Sequence, residues 1–417
     1  MKESVLKFIK NSRISEWYYI IVTAGYFLTL FIGGMRPGVA ATALMLLIAA
    51  ELFVYKEFTV KHTVDVLVLV YLAYHCVSVI WLTKAGYPLS VFINEFTASV
   101  LVMIFYFVGK SAGKRTGIWY RNFLIAMLML SVIGLVLYIA APQFYIEWNY
   151  EWSYISKADA STMRVRMNSV VGSTILSFMM IAGMLASAYF LAPSPEDNLM
   201  SKGAFARSRN RIWWSIINIA LCLLVAIMSN QRSGLVAAAL VIVYVNYLLV
   251  FQLEIIPKKY FVIEIIAVAV ALAGLCVVKL DYVLKFWWRI ASLPSAVSER
   301  SEQWIAAVNN MYSTWLGNGI GANGHKALGV EGAHIIADGG LIKIYCEDGV
   351  LGFSVFVFML ILTFKKGLSN IRKYFTEIGI IAVALLQSIG SNILAFQLCT
   401  PIFWFAIGRI CAGEDEA

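Results

Sequence analysis

The chain has 417 residues, of which 61% are hydrophobic and 14% charged. A soluble domain is about 45–50% apolar and about 25% charged, so this composition excludes a water-soluble globular enzyme, a disordered chain and a disulfide-built secreted scaffold. The net charge of +9 is dispersed in short basic clusters between apolar runs, which excludes a nucleic-acid-binding surface as its origin.

Apolar runs of roughly 17–20 residues recur along the chain, each long enough to cross about 30 Å of hydrocarbon. They predict an all-α polytopic membrane protein with about twelve spans, near 17–33, 37–55, 63–82, 91–109, 122–141, 169–191, 212–228, 233–251, 260–278, 341–364, 376–394 and 397–411. The first run follows Lys2, Lys7, Lys10 and Arg13 like a signal sequence. No small-residue cleavage site follows, and the expectation is a retained helix. With the N-terminus inside, most of the 33 Lys and Arg fall in inner segments, as short basic loops require. Both termini are then expected in the cytoplasm. The chain divides into helices one to nine (1–278), a long outer segment (279–340) and C-terminal helices (341–417). The six cysteines lie in or beside apolar runs without metal-type spacing and are expected as small packing residues.

The outer segments carry the unusual residues. Loop 142–168 interleaves Phe144, Tyr145, Trp148, Tyr150, Trp152 and Tyr154 with Glu147 and Glu151, and MRVRMNS follows with Arg164 and Arg166. Rings and carboxylates suit a sugar, with Trp148, Trp152 and Glu147 as its contacts; the plainer reading is an aromatic belt at the interface. Arg232 sits in SNQRSG, a tight turn between two apolar runs, where an arginine is usually functional or paired.

The 279–340 segment is far longer than an ordinary connection, and such loops tend to carry function. Residues 299–316 place Arg300, Trp304, Val308, Met311, Tyr312 and Trp315 at helical spacing and predict a surface helix ending at Gly317. The glycine-rich LGNGIGANGH (316–325) is expected to bring backbone close to a ligand, and it lacks the Lys-Ser/Thr pair of a phosphate-binding P-loop. His334 and Asp338 stand four apart before the next span and would share a face if that stretch is helical. His75, inside span three, reads as a hydrogen-bonded packing residue. Several arginines outside and no carboxylate pair or cluster with metal spacing point to diphosphate held by guanidinium forks, without metal or cofactor.

SNQRSGLVAAAL (229–240), RSEQW…LGNGIG (300–321) and AHIIADGGLIKIYCEDGVLGF (333–353) resemble the O-antigen polymerase and O-antigen ligase family of bacterial membrane glycosyltransferases. The resemblance implies a fold related to the GT-C glycosyltransferases, an undecaprenyl-diphosphate-linked oligosaccharide as substrate, and metal-independent transfer at the periplasmic face. It also implies membrane lipids and a polysaccharide chain-length regulator as partners. Carried over, Arg232 and Arg300, with Arg164 or Arg166, would bind diphosphate. His334 would act as base with Asp338 orienting it, or the two would exchange roles. Asp338 stands at the spacing before Glu347 and Gly349 where ligases often carry the histidine, which favours polymerase over ligase. A flippase for lipid-linked glycans is the rival of another class. It is disfavoured by the absence of an internal repeat and by Glu51, Asp65, Glu95 and Glu264 lying towards span ends.

Overall fold

The computed structural model describes residues 13–32, 36–144, 147, 166–191, 204–254 and 293–412, with scattered positions between 257 and 291. Among the described residues every regular element is helical. In chain order we label α1 (Ile14–Leu28), α2 (Pro37–Val54), α3 (Thr63–Lys84), α4 (Leu89–Ser111), α5 (Gly113–Ala140), α6 (Ser173–Tyr189) and α7 (Ala204–Ser229). There follow α8 (Arg232–Gln252), α9 (Leu293–Asn309), α10 (Gly340–Ser369), α11 (Ile371–Gly390) and α12 (Thr400–Cys411).

Eight of these are long and apolar enough to cross a membrane: α2, α3, α4, α5, α7, α8, α10 and α11. The shorter α6 and α12 are apolar too. The chain is a membrane-embedded helical protein. The expected span 260–278 falls largely outside the described residues. Of the five described cysteines, Cys222, Cys346, Cys399 and Cys411 are buried as packing residues, whereas Cys76 is exposed.

Helices in lipid associate through close packing and polar contacts, because hydrocarbon removes the hydrophobic drive between them. The α4–α12 crossing shows the first device. A Cβ on Gly109 would strike the carbonyl of Phe405, and one on Gly408 would strike the carbonyl of Tyr106, so two glycines let the backbones touch. Phe405 then stacks on Trp119 of α5 at 3.6 Å between centroids.

Polar clasps, the second device, gather where α1 begins, α2 turns into α3 and α4 ends. Glu51 accepts from the backbone N–H of Ile14 and Ser15 at the start of α1. Fully buried Asp65 accepts from the backbone of Lys61 and His62, and from Lys110 Nζ at 2.5 Å. Glu51 and Asp65, charges close to span ends, are therefore structural fasteners. Glu264 lies outside the described residues.

The helix α10 is broken. Gly349 has φ 61° and ψ −169°, outside helical geometry. The stretch 350–369 is by itself long enough, at about 1.5 Å per residue, to cross the hydrocarbon. The first stretch, 340–348, is left to build the end of the bundle where residues 293–339 pack.

A break exposes backbone groups that a continuous helix would satisfy internally. The glycine-rich turn meets that need. Asn318 and Gly319 donate N–H to the carbonyls of Cys346 and Glu347, while Val350 and Leu351 donate to the carbonyls of Thr314 and Trp315. Gly317 (φ 74°) and Gly349 face each other so closely that a Cβ on either would strike the other's backbone segment. Gly319 and Gly321, both at positive φ, lie against Ser78 and Leu82 of α3 and against Val91 and Glu95 of α4. The close approach expected of LGNGIGANGH is thus towards the protein's own helices.

Candidate functional site

The surface helix expected over 299–316 is real but shifted: α9 runs Leu293–Asn309, and the next residues turn into the glycine segment. The shift divides the aromatic stripe. Trp304 turns inward, in a small cluster with Ala307, Ile336 and Cys346, and its indole donates to the carbonyl of Asp338 at 2.7 Å. Tyr312 and Trp315, past the helix end, are exposed.

His334 and Asp338 do not share a helical face. Residues 333–336 are not helical and α10 starts only at Gly340. The reason lies in the backbone: Asn323 Nδ2 donates to the His334 carbonyl, and Asn392 Nδ2 donates to the carbonyls of Ile336 and Ala337. Those carbonyls are engaged from outside, so the irregular stretch is pinned between the glycine segment and the α11–α12 connection. The Asp338 carboxylate instead pairs with Arg300, Nη2 to Oδ2 at 2.8 Å, both side chains about one-third exposed.

Arg300 also reaches the end of α11. Its Nη1 lies 3.8 Å from the position a Cβ on Gly390 would take, and the Cβ of Ser233 is equally close to that point. The guanidinium therefore stands beside the start of α8, where half-buried Arg232 is the first helical residue. Asn230 (φ 55°) makes the turn, and Gln231 Nε2 fastens it to Ser173 and Thr174 of α6. Arg166 is exposed, and its neighbour Met167 donates N–H to the Met228 carbonyl just ahead of the same turn. Segments distant in sequence thus bring the positions of Arg166, Arg232 and Arg300 to one end of the bundle. Glu147 is exposed and accepts from Gln143 at 3.1 Å. Arg164, Trp148 and Trp152 lie outside the described residues. His325 is exposed in a short turn.

A second polar constellation lies beneath, inside the helices. Lys343 Nζ, nearly fully buried, is 2.8 Å from Glu95 Oε1 and 2.8 Å from Glu347 Oε2. Beside it, Asp348 accepts from the Tyr71 hydroxyl at 2.7 Å and lies 3.0 Å from His75 Nε2. Tyr74 brings its hydroxyl within 2.6 Å of the Asp348 carbonyl and 2.9 Å of the Leu316 carbonyl, so its one proton serves either. His75 is a hydrogen-bonded packing residue, as its place in span three suggested. The sequence did carry a signal for the rest: Lys343 and Glu347, four apart, are charges inside an apolar helix and pair with each other. Their third member, Glu95, is 248 residues from Lys343 along the chain, and no local pattern announces that contact.

Among the described residues no group of three His, Cys, Asp or Glu is arranged to hold a metal ion. Comparison with models of known protein families and with curated proteins finds no match to this chain.

Proposed function

We propose that this membrane protein is a polysaccharide polymerase of the O-antigen type, acting on undecaprenyl-diphosphate-linked glycans at the periplasmic face of a bacterial inner membrane. The reading carries with it a fold related to the GT-C glycosyltransferases, about twelve spans and cytoplasmic termini. The observation that supports it best is the partly exposed Arg300–Asp338 pair beside the Arg232 turn. A guanidinium fork suits a diphosphate, and a carboxylate within hydrogen-bond reach of the same fork suits proton transfer next to it.

In this reading Arg300 and Arg232, with Arg166 and Arg164, hold the diphosphate of the donor. Diphosphate takes over the Arg300 fork and frees the Asp338 carboxylate. An acceptor hydroxyl attacks the anomeric carbon, its proton passes to His334 or Asp338, and undecaprenyl diphosphate leaves with inversion. Purified protein given one lipid-linked repeat unit, without lipid A core, is expected to build a ladder of polymer. A requirement for lipid A core would make it a ligase, and no transfer in either mixture would end the glycosyltransferase reading.

One observation favours the rival flippase: α10 is broken beside buried charges, an arrangement that transporters use at their substrate sites. Translocation of a labelled lipid-linked glycan across proteoliposomes, with no ladder, would decide for it.

A further inference from the structure

The buried constellation borders a cavity of about 50 Å³ between α3, α4, α10 and the α11–α12 connection. Volume on this scale holds a few water-sized bodies, because one needs roughly 10–15 Å³ by the same measure. Glu95, Glu347, Asp348, Lys343, His75 and Asn392 line its polar side, and Phe356, Phe403 and Trp404 are on its apolar side.

The formal charges do not balance. Three carboxylates, Glu95, Glu347 and Asp348, are 4% exposed or less and face one ammonium, Lys343. The excess is two negative charges with His75 neutral and one with His75 protonated. An uncompensated charge in so apolar a setting is costly, and such groups acquire a partner or a proton.

Two unpartnered atoms show what the partner must offer. Asn392 is 4% exposed, and both hydrogen bonds of its Nδ2 go to the carbonyls of Ile336 and Ala337, which fixes its amide orientation. Its Oδ1 is buried with no hydrogen-bond partner. His75 is 7% exposed; its Nε2 faces the Asp348 carboxylate, and its Nδ1 is buried without a partner. The Asn392 Oδ1 can only accept, and Nδ1 of a neutral His75 accepts as well. The cavity therefore calls for a positive or hydrogen-donating occupant. A small divalent ion demands several anionic ligands on one point, and no three acidic or histidine groups converge among the described residues; a monovalent charge can instead be met by single carboxylates, carbonyl-type oxygens and water.

We propose that this cavity binds one monovalent cation, taken up either as a sodium ion or as a proton shared by its carboxylates and water, and that the cation holds the broken α10 against α3 and α4. The inference does not depend on the glycosyltransferase reading. The titratable groups around Glu347 are Lys343, Cys346 and Asp348 on its own helix, Glu95 on α4, His75, Tyr71 and Tyr74 on α3, Tyr87 in the following loop and, farther out, Lys326.

The test is thermal unfolding of the full chain in detergent, in choline chloride and in sodium chloride at equal ionic strength, between about pH 8 and pH 5. A ligand that binds only the native state raises Tm with its concentration. If sodium is the occupant, Tm rises by several degrees with sodium and not with choline. If a proton is, the native state holds more protons than the unfolded one, so Tm rises as pH falls, in either salt. Glu347→Gln removes one carboxylate charge while keeping an acceptor for the Asn323 N–H, and it should abolish most of either dependence. Glu95→Gln repeats the test should that variant fail to fold. A wild-type Tm indifferent to both sodium and pH overturns the proposal. So does a dependence that survives unchanged in both variants.

Discussion

Arg300 and Asp338 form an ion pair at 2.8 Å, yet about a third of each side chain meets solvent. Exposed pairs of this kind contribute about 0–1 kcal/mol, because water screens the attraction and two side chains must be held still. The pair is therefore a weak fastener, and its value lies in where it puts the two groups. Arg300→Lys is expected to change thermal stability by under about 1 kcal/mol. It should nevertheless lower polymer formation by about 10²-fold or more, since a point charge does not replace a bidentate fork on developing diphosphate charge. Unfolding curves beside the ladder assay check both halves, and a variant with full activity would reduce Arg300 to an anchoring residue. Substitution at the two base candidates separates them. The base contributes about 10²–10⁴-fold, so His334→Ala and Asp338→Asn should differ in residual transfer, the deeper loss marking the proton acceptor.

At the scale of elements, the break in α10 decides most of the architecture at this end of the molecule. Gly349 is needed twice over: its φ of 61° is hostile to a side chain, and a Cβ there would strike the backbone of Gly317 and Trp315. Gly329 has φ 85° but open space around it. Left-handed backbone alone costs a non-glycine residue about 1–2 kcal/mol, and a backbone collision adds to that. Gly349→Ala should consequently lose well over about 2 kcal/mol, while Gly329→Ala loses about 1–2 kcal/mol, read as the difference in their unfolding free energies. Equal losses would mean that the docked glycine turn does not hold the break. The glycine spacing of 316–325 announces a close backbone approach but not its partner, which is the protein's own α3, α4 and α10, because such spacing reveals permitted backbone and not what is packed against it.

At the scale of the molecule, the eight helices long enough to span among the described residues imply a membrane, and the basic loops set the expectation for which way the chain faces it. In a background freed of native cysteines, including exposed Cys76, single cysteines at Tyr150, Asn310 and Val330 should react with an impermeant reagent from the periplasmic side. Those at Arg115, Phe205 and Asn370 should not. Labelling at Phe205 would invert the topology and move the Arg300–Asp338 pair to the cytoplasmic face. The membrane helices themselves were legible in the amino-acid order, since the free energy of placing a segment in hydrocarbon is close to a sum over its own residues. The clustering of arginine-bearing segments at one end was legible in outline for the same reason. Pairings that cross the bundle were not: Asp348 meets His75 across 273 residues, and Lys343 meets Glu95 across 248. Nor could spacing tell that the carbonyls of His334, Ile336 and Ala337 would be engaged by Asn323 and Asn392 instead of by a helix shared with Asp338. Hydropathy and loop charge are local quantities that each segment carries alone. The partner of a buried charge or of a freed backbone group is fixed only when distant helices pack, because low dielectric makes every such group seek whichever complement the tertiary structure brings within reach.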